Sequence, residues 1–136
     1  FPYETIVVSL NCAEPATALE LGIDLSRLFK IPLETVHVIM PQELRSQEEN
    51  GQIKERQNLI ADFENIHKMK IHFSLLEGNP VKASVSFLNQ RRNSLAVLVY
   101  NNTQAPSFFT PHIQLLIARK TGLSVLLIPV EASYES

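Results

Sequence analysis

The side chains in this sequence that could do chemistry are one cysteine, four histidines and a scatter of serines and arginines. Cys12 falls in the turn after a short apolar run and just ahead of a helix start, a place that favours a thiolate. A redox or nucleophilic role is therefore open, against the plainer reading of a small residue in a tight turn. His37 closes a second apolar run, at the edge where a parallel sheet meets its ligands. It could touch a ligand there, but a hydrogen-bonded structural histidine is the weightier reading. His67 and His72 straddle a helix-to-strand junction and His112 stands alone, so no convergent metal-ligand spacing exists. Ser9, Ser84, Ser86 and Ser94 lie outside any Gly-x-Ser-x-Gly elbow, which leaves hydrolase chemistry without support. Arg91 and Arg92 could grip an anion, but paired arginines at a helix end normally complement its dipole in solvent. No catalytic residue and no metal site is assigned.

These residues are placed by an alternation of apolar runs and amphipathic stretches. Thr5 to Leu10 is β-branched and continuously apolar, as a buried parallel strand should be. Pro15 opens a helix where its missing N–H costs nothing, with Ala18, Leu21, Leu25 and Leu28 as its expected core-facing stripe. Leu33 to Ile39 reads as a second strand, ended by Pro41. Glu43 to Glu55 is charged and contains Gly51, so it reads as a loop or a frayed helix start. From Ile53 on, the stripe Ile60, Phe63 and Ile66 supports a helix. Ile71 to Leu75 alternates at period two, as a half-covered strand does. Gly78, Asn79 and Pro80 then turn into a helix with Val81, Val85 and Leu88 buried. Leu95 to Tyr100 is the fourth strand. Thr110 and Pro111 cap and open a helix through Ile113, Leu116 and Ile117. Gly122 closes it as a C′ residue, and Ser124 to Val130 is the last strand. The expected fold class is α/β: a doubly wound, open, parallel five-stranded sheet with helices on both faces, Rossmann-like, in one domain over residues 1–136.

Composition narrows the function classes. An apolar fraction of 45% and a charged fraction of 19% belong to an ordinary soluble globular domain. A net charge of −2 and a pI near 6.1 give no overall basic footprint for nucleic acid or an anionic membrane. The lone Cys12 fits a reducing, cytoplasmic compartment. Apolar runs such as Val125 to Ile128 are too short to span a bilayer, and no signal peptide precedes the first strand. A first residue of Phe1 rather than Met reads as a piece of a longer polypeptide, although removal of a tag would look the same.

The most telling stretch follows the fourth strand. In a doubly wound sheet, ligands sit beyond the carboxyl ends of the strands, and phosphates rest on glycine-rich backbone at a helix N-terminus. Here Asn101 to Thr110 reads NNTQAPSFFT, and the glycines of the chain (Gly22, Gly51, Gly78, Gly122) all lie elsewhere. Pro111 removes one more N–H donor. Phe108 and Phe109 either plug the vacant crevice or form an exposed contact patch; the plug is the favoured reading.

Lys70 to Ala83, reading KIHFSLLEGNPVKA, resembles the strand, Glu-Gly-Asp-Pro turn and helix of universal stress protein (UspA-like) domains. Phe29 to Val38 is similar to their helix end and second strand, Ile6 to Pro15 to their first strand and turn, and Gly122 to Pro129 to their final strand. The resemblance covers nearly the whole chain in the right order. It implies an adenine-nucleotide crevice, which this sequence alters. The family's base-contacting Asp corresponds to Asn11. The family's Gly-x-x-Gly, a further roughly nine residues and Gly-Ser/Thr, which form its phosphate nest, are replaced throughout. The vestigial crevice positions are then Asn11, His37, Asn101, Asn102 and His112, with no cofactor expected.

The resemblance implies a non-enzymatic, regulatory stress-response domain that does not bind ATP. It implies a homodimer formed through the last strand, with Val125, Leu126, Leu127, Ile128 and Val130 at the two-fold. Two alternatives stand beside it. One is a cytoplasmic regulatory domain covalently linked to a cation/proton antiporter or other membrane transporter, this segment itself entering no membrane. The other is a degenerate AMP/ATP-binding sensor. No nucleic-acid partner is expected.

Overall fold

In the computed structural model, residues 2–101 and 113–130 are described. Among these residues five strands and four helices alternate. They are β1 (Thr5–Ser9), α1 (Pro15–Phe29), β2 (Leu33–Ile39), α2 (Gln47–His67), β3 (His72–Glu77), α3 (Pro80–Asn89), β4 (Ser94–Asn101), α4 (Ile113–Lys120) and β5 (Ser124–Val130), with a short 3-10 turn at Gln42–Leu44. The sheet order is β3-β2-β1-β4-β5 and every pairing is parallel. The chain winds outward from β1 to β3, returns to the middle at β4 and finishes at the opposite edge. This is the doubly wound arrangement, with its topological switch between β1 and β4.

Two cores follow from the period-two alternation of the central strands. Ile6, Val8 and Leu10 face α1 and α2, where they meet Ala18, Leu19, Ile23 and Ile60. Val7, Val36, Ala96 and Leu98 face α3 and α4, where they meet Phe87, Leu88 and Ile117. β1 and β4 are buried on both faces, which is why they read as unbroken apolar runs.

Three local expectations are corrected. The buried face of α1 is Ala18, Leu19, Gly22, Ile23 and Ser26, and Leu28 is 70% exposed. The helix turns its small residues inward so that its axis can approach the sheet. A Cβ on Gly22 would collide with Val8 and crowd Leu33. α2 begins at Gln47, earlier than its charge suggests, because Ser46 accepts a hydrogen bond from the Glu49 N–H at 3.1 Å and acids fill the first turn. At its other end Ile66 is 66% exposed and not part of the stripe. Gly122 does not take the left-handed conformation; the end of α4 is held by Asn89, whose side-chain oxygen accepts from the Gly122 N–H at 2.8 Å and the Thr121 hydroxyl at 3.0 Å.

Arg91 is also more than a solvated charge. It grips Glu34 at 3.1–3.3 Å, donates to the Phe87 carbonyl and stacks 3.5 Å above the Phe87 ring. The end of α3 is thereby pinned to the start of β2.

Candidate functional site

The switch point places the carboxyl ends of β1, β2 and β4 around one crevice, and the loop after β1 is its floor. Backbone pairing of β1 with β2 continues through the Leu10 N–H, which donates to the Val36 carbonyl at 2.8 Å. The next rung is made by a side chain. Asn11 donates through its amide to the Val38 carbonyl and accepts from the Val38 N–H, both at 2.8 Å. Only an amide can do both; a carboxylate could accept but not donate. Each end of the Asn11 amide is engaged by β2, so Asn11 splices the two strands.

The carbonyls of that loop are closed in the same way. Arg56, from α2, is 6% exposed. Its Nε and Nη2 donate to the Leu10 carbonyl at 3.4 and 3.3 Å, and Nη2 donates to the Cys12 carbonyl at 3.0 Å. Gln114, from α4, donates through its amide to the Asn11 carbonyl between them. Three consecutive carbonyls at the mouth of the crevice are thus covered by the protein's own donors. Arg56 also meets Glu55 at 3.2 Å, but that carboxylate is 64% exposed and adds little.

His37 lies beside this cluster, 3% exposed, and its Nδ1 finds no hydrogen-bond partner among the described residues. Burial first and the Arg56 guanidinium second lower its pKa to about 4, against smaller opposing effects of the Leu10 backbone and Glu49. At neutral pH it is an uncharged imidazole. The expectation of a hydrogen-bonded structural histidine is met in its burial and its hydrogen bond with the Leu10 backbone, and Nδ1 is the atom left over. Cys12 does not have the activated thiol that its place before a helix suggests. Burial pushes its pKa up to about 11, against a smaller opposing pull from the Glu14 backbone. Its sulfur sits 4.0 Å from the Ser9 carbonyl, where it can donate weakly.

Asn101 ends β4 in register with Val130. Asn102, the pair Phe108 and Phe109, the Thr110-Pro111 cap and His112 lie outside the described residues, so the aromatic plug belongs to that stretch as well. Among the described residues the donors that close the loop after β1 are Arg56 and Gln114, which sequence reasoning missed. A signal existed for both. Arg56 lies four residues before Ile60, in phase with the buried stripe of α2, and Gln114 lies three before Ile117. A polar residue in register with a core stripe is a buried polar residue seeking acceptors.

Of the last-strand residues, Val125 and Leu127 pack toward the α3/α4 core and Ile128 and Val130 toward the α1/α2 core. Leu126 is 39% exposed. Among the described residues β5 has a neighbour on one side only, β4, and forms an edge of the sheet. Among the described residues no group of three or more His, Cys, Asp or Glu is placed to hold a metal ion, and no helix is long and apolar enough to cross a membrane.

Fold and site together define a doubly wound, all-parallel α/β domain whose switch-point loop is closed from within. The fold is that of solved universal stress proteins. The chain aligns with one from Archaeoglobus fulgidus over 93% of each chain at 17% identity, with a TM-score of 0.73. A second structure from that organism, in complex with dAMP, aligns over 94% of this chain and 99% of the other at 16% identity and a TM-score of 0.70. A universal stress protein solved in complex with cAMP aligns over 94% and 98% at 15% identity and the same TM-score of 0.70. No family model matches the sequence, and no curated protein sequence matches it. At these identities the likeness is one of fold.

Proposed function

We propose that this chain is a non-enzymatic regulatory domain of the universal stress protein type, acting in a stress response as a homodimer and holding no ATP. The observation that carries the reading is the closure of the switch-point loop by Arg56, Gln114 and Asn11. A ligand there would have to displace charge-assisted hydrogen bonds worth roughly 1.5–3 kcal/mol each. The lack of glycine between Asn101 and Thr110 removes the backbone that would compensate. A Cys12 thiol that stays protonated supports the absence of covalent chemistry. The open β5 edge, with Leu126 on its surface, supports pairing with a second copy.

A second reading, a sensor of adenine nucleotides through altered contacts, is favoured by the unpaired Nδ1 of His37 beside the crevice. Two solved proteins of the same fold carry cAMP or dAMP. Calorimetry separates the two readings. The first expects no saturable heat with millimolar Mg-ATP, AMP or cAMP. Saturable binding of any of them in the micromolar range would replace it with the second.

A further inference from the structure

Every helix of this fold ends on a pair of cations. Arg27 and Lys30 close α1, Lys68 and Lys70 follow α2, Arg91 and Arg92 follow α3, and Arg119 and Lys120 close α4. Each crossover helix runs back against the direction of the strands, so all of these ends gather at the amino-terminal edge of the sheet. Eight of the chain's twelve Lys and Arg residues therefore lie at one end of the molecule. The carboxylates nearest them along the described chain are Glu4, Asp24, Glu34, Asp62 and Glu64. Glu34 is held by Arg91, and Glu64 accepts from the Ile71 N–H at 2.9 Å.

Complementing the helix dipoles explains part of this. It does not explain two further features. Lys30 and Lys68 are the C-caps of α1 and α2 in the left-handed conformation, with φ of 57° and 53°. Glycine or asparagine adopts that conformation more cheaply, yet lysine stands at both. Beside them Leu28 and Ile66 are 70% and 66% exposed. The Arg27 guanidinium donates to the His67 carbonyl at 2.6 Å and ties the two helix ends together. Leu28 and Ile66 are the sequence neighbours of the two tied residues, and Lys30, Lys68 and Lys70, which follow them along the chain, are exposed.

We propose that this end of the molecule is a peripheral docking surface for an anionic phospholipid membrane. Lysines on flexible stems meet the headgroups, while Leu28 and Ile66 enter the boundary between headgroups and acyl chains. Aliphatic tips standing out from a cationic ring are the chemistry of an interfacial contact. A nucleic-acid backbone would use the cations and leave the tips in water. The proposal is independent of the crevice and of whether it holds a nucleotide.

Cosedimentation of the purified chain with phosphatidylcholine vesicles, with and without about one third phosphatidylserine, tests it. Binding is expected to the anionic vesicles only and should fall as salt is raised. The double substitution Lys30→Gly, Lys68→Gly separates docking from folding. It should leave the urea midpoint equal or higher, since glycine relieves both left-handed caps. It should lower partition onto anionic vesicles by about thirtyfold, at about fivefold per lysine. Leu28→Asn with Ile66→Asn should also weaken binding. Wild-type protein that ignores anionic vesicles, binds neutral ones equally well, or binds undiminished in the double-glycine variant overturns the proposal. Retention on polyaspartate or duplex DNA without vesicle binding would overturn it too, and would assign the surface to an acidic protein or to nucleic acid.

Discussion

Arg56→Met removes the donor that closes the crevice while keeping an unbranched side chain of similar reach. Two carbonyls, those of Leu10 and Cys12, lose their charged partner. At roughly 1.5–3 kcal/mol for each hydrogen bond to a charged group, the gross loss is about 3–6 kcal/mol. Part is returned because a buried charge no longer needs to be desolvated. A net destabilisation of about 2–4 kcal/mol is expected, which lowers a urea midpoint by about 1–2 M. Urea is the right denaturant, since guanidinium could itself fill the gap the arginine leaves. Glu55→Gln is the control: its carboxylate is 64% exposed, and losing such a partner should cost under about 1 kcal/mol. A second readout is independent of stability. Arg56 is one of the causes that depress His37, so the His37 imidazole should titrate at higher pH in the variant when followed by NMR. An Arg56→Met protein as stable as the parent, with the His37 titration unmoved, would refute the closed-crevice argument.

The remaining expectations concern the same groups and the sheet edge. Because the folded pKa of His37 is about 4, below the ordinary 6.5, the unfolded chain binds its proton first as pH falls. Stability should therefore drop between pH 6.5 and pH 4 by about 3 kcal/mol, and His37→Gln should flatten that window in urea titrations. The Cys12 thiol, raised to about 11, should react with iodoacetamide at pH 8 far more slowly than a free thiol until the protein is unfolded. Fast labelling of the native protein would count against its burial. Leu126→Lys should convert a dimer to a monomer in sedimentation, with a denaturation midpoint that falls only by the concentration-dependent stabilisation the dimer supplied. It is a cleaner probe than a change at Ile128, which packs on the α1/α2 core. A wild-type chain that sediments as a monomer at high concentration would remove the dimer itself.

The strands were legible because β1, β4 and β5 are largely apolar runs and β2 is rich in β-branched residues, all bounded by proline, glycine or charge. Burial on both faces explains this for β1 and β4, while the edge strand β5 is only half covered. Faces were harder to read than elements. Leu28 has the spacing of a core residue, but Ala18 and Gly22 decide how α1 lies on β1, and apolar type alone does not register close approach. The start of α2 was masked by its charge, though Ser46 and Glu49 carry the cap spacing that overrides it. The site was half legible. Asn11 was found from the resemblance, but its task, a side-chain rung to Val38, depends on the register of β1 with β2. Arg56 was missed because charge was taken as a sign of solvent, whereas a core-phased arginine reaching three carbonyl contacts is stable inside.

How the charges are distributed follows from the topology. A balance of −2 averages over the molecule and states nothing about direction. In a parallel doubly wound sheet every helix begins near the carboxyl edge and ends near the amino edge, so residue preferences at helix ends add instead of cancelling. Acids such as Glu48 and Glu49 gather in a first turn, and Arg119 and Lys120 gather in a last one. A nearly neutral chain of this fold is thereby expected to be electrically polar along its strands. In this chain the polarity meets Leu28 and Ile66 at its cationic end. Dipole compensation alone would place cations there and no exposed aliphatic groups, and it would choose glycine at the two left-handed caps. The combination of lysine caps with bare aliphatic tips is what separates a surface selected for contact from one that merely balances its helices.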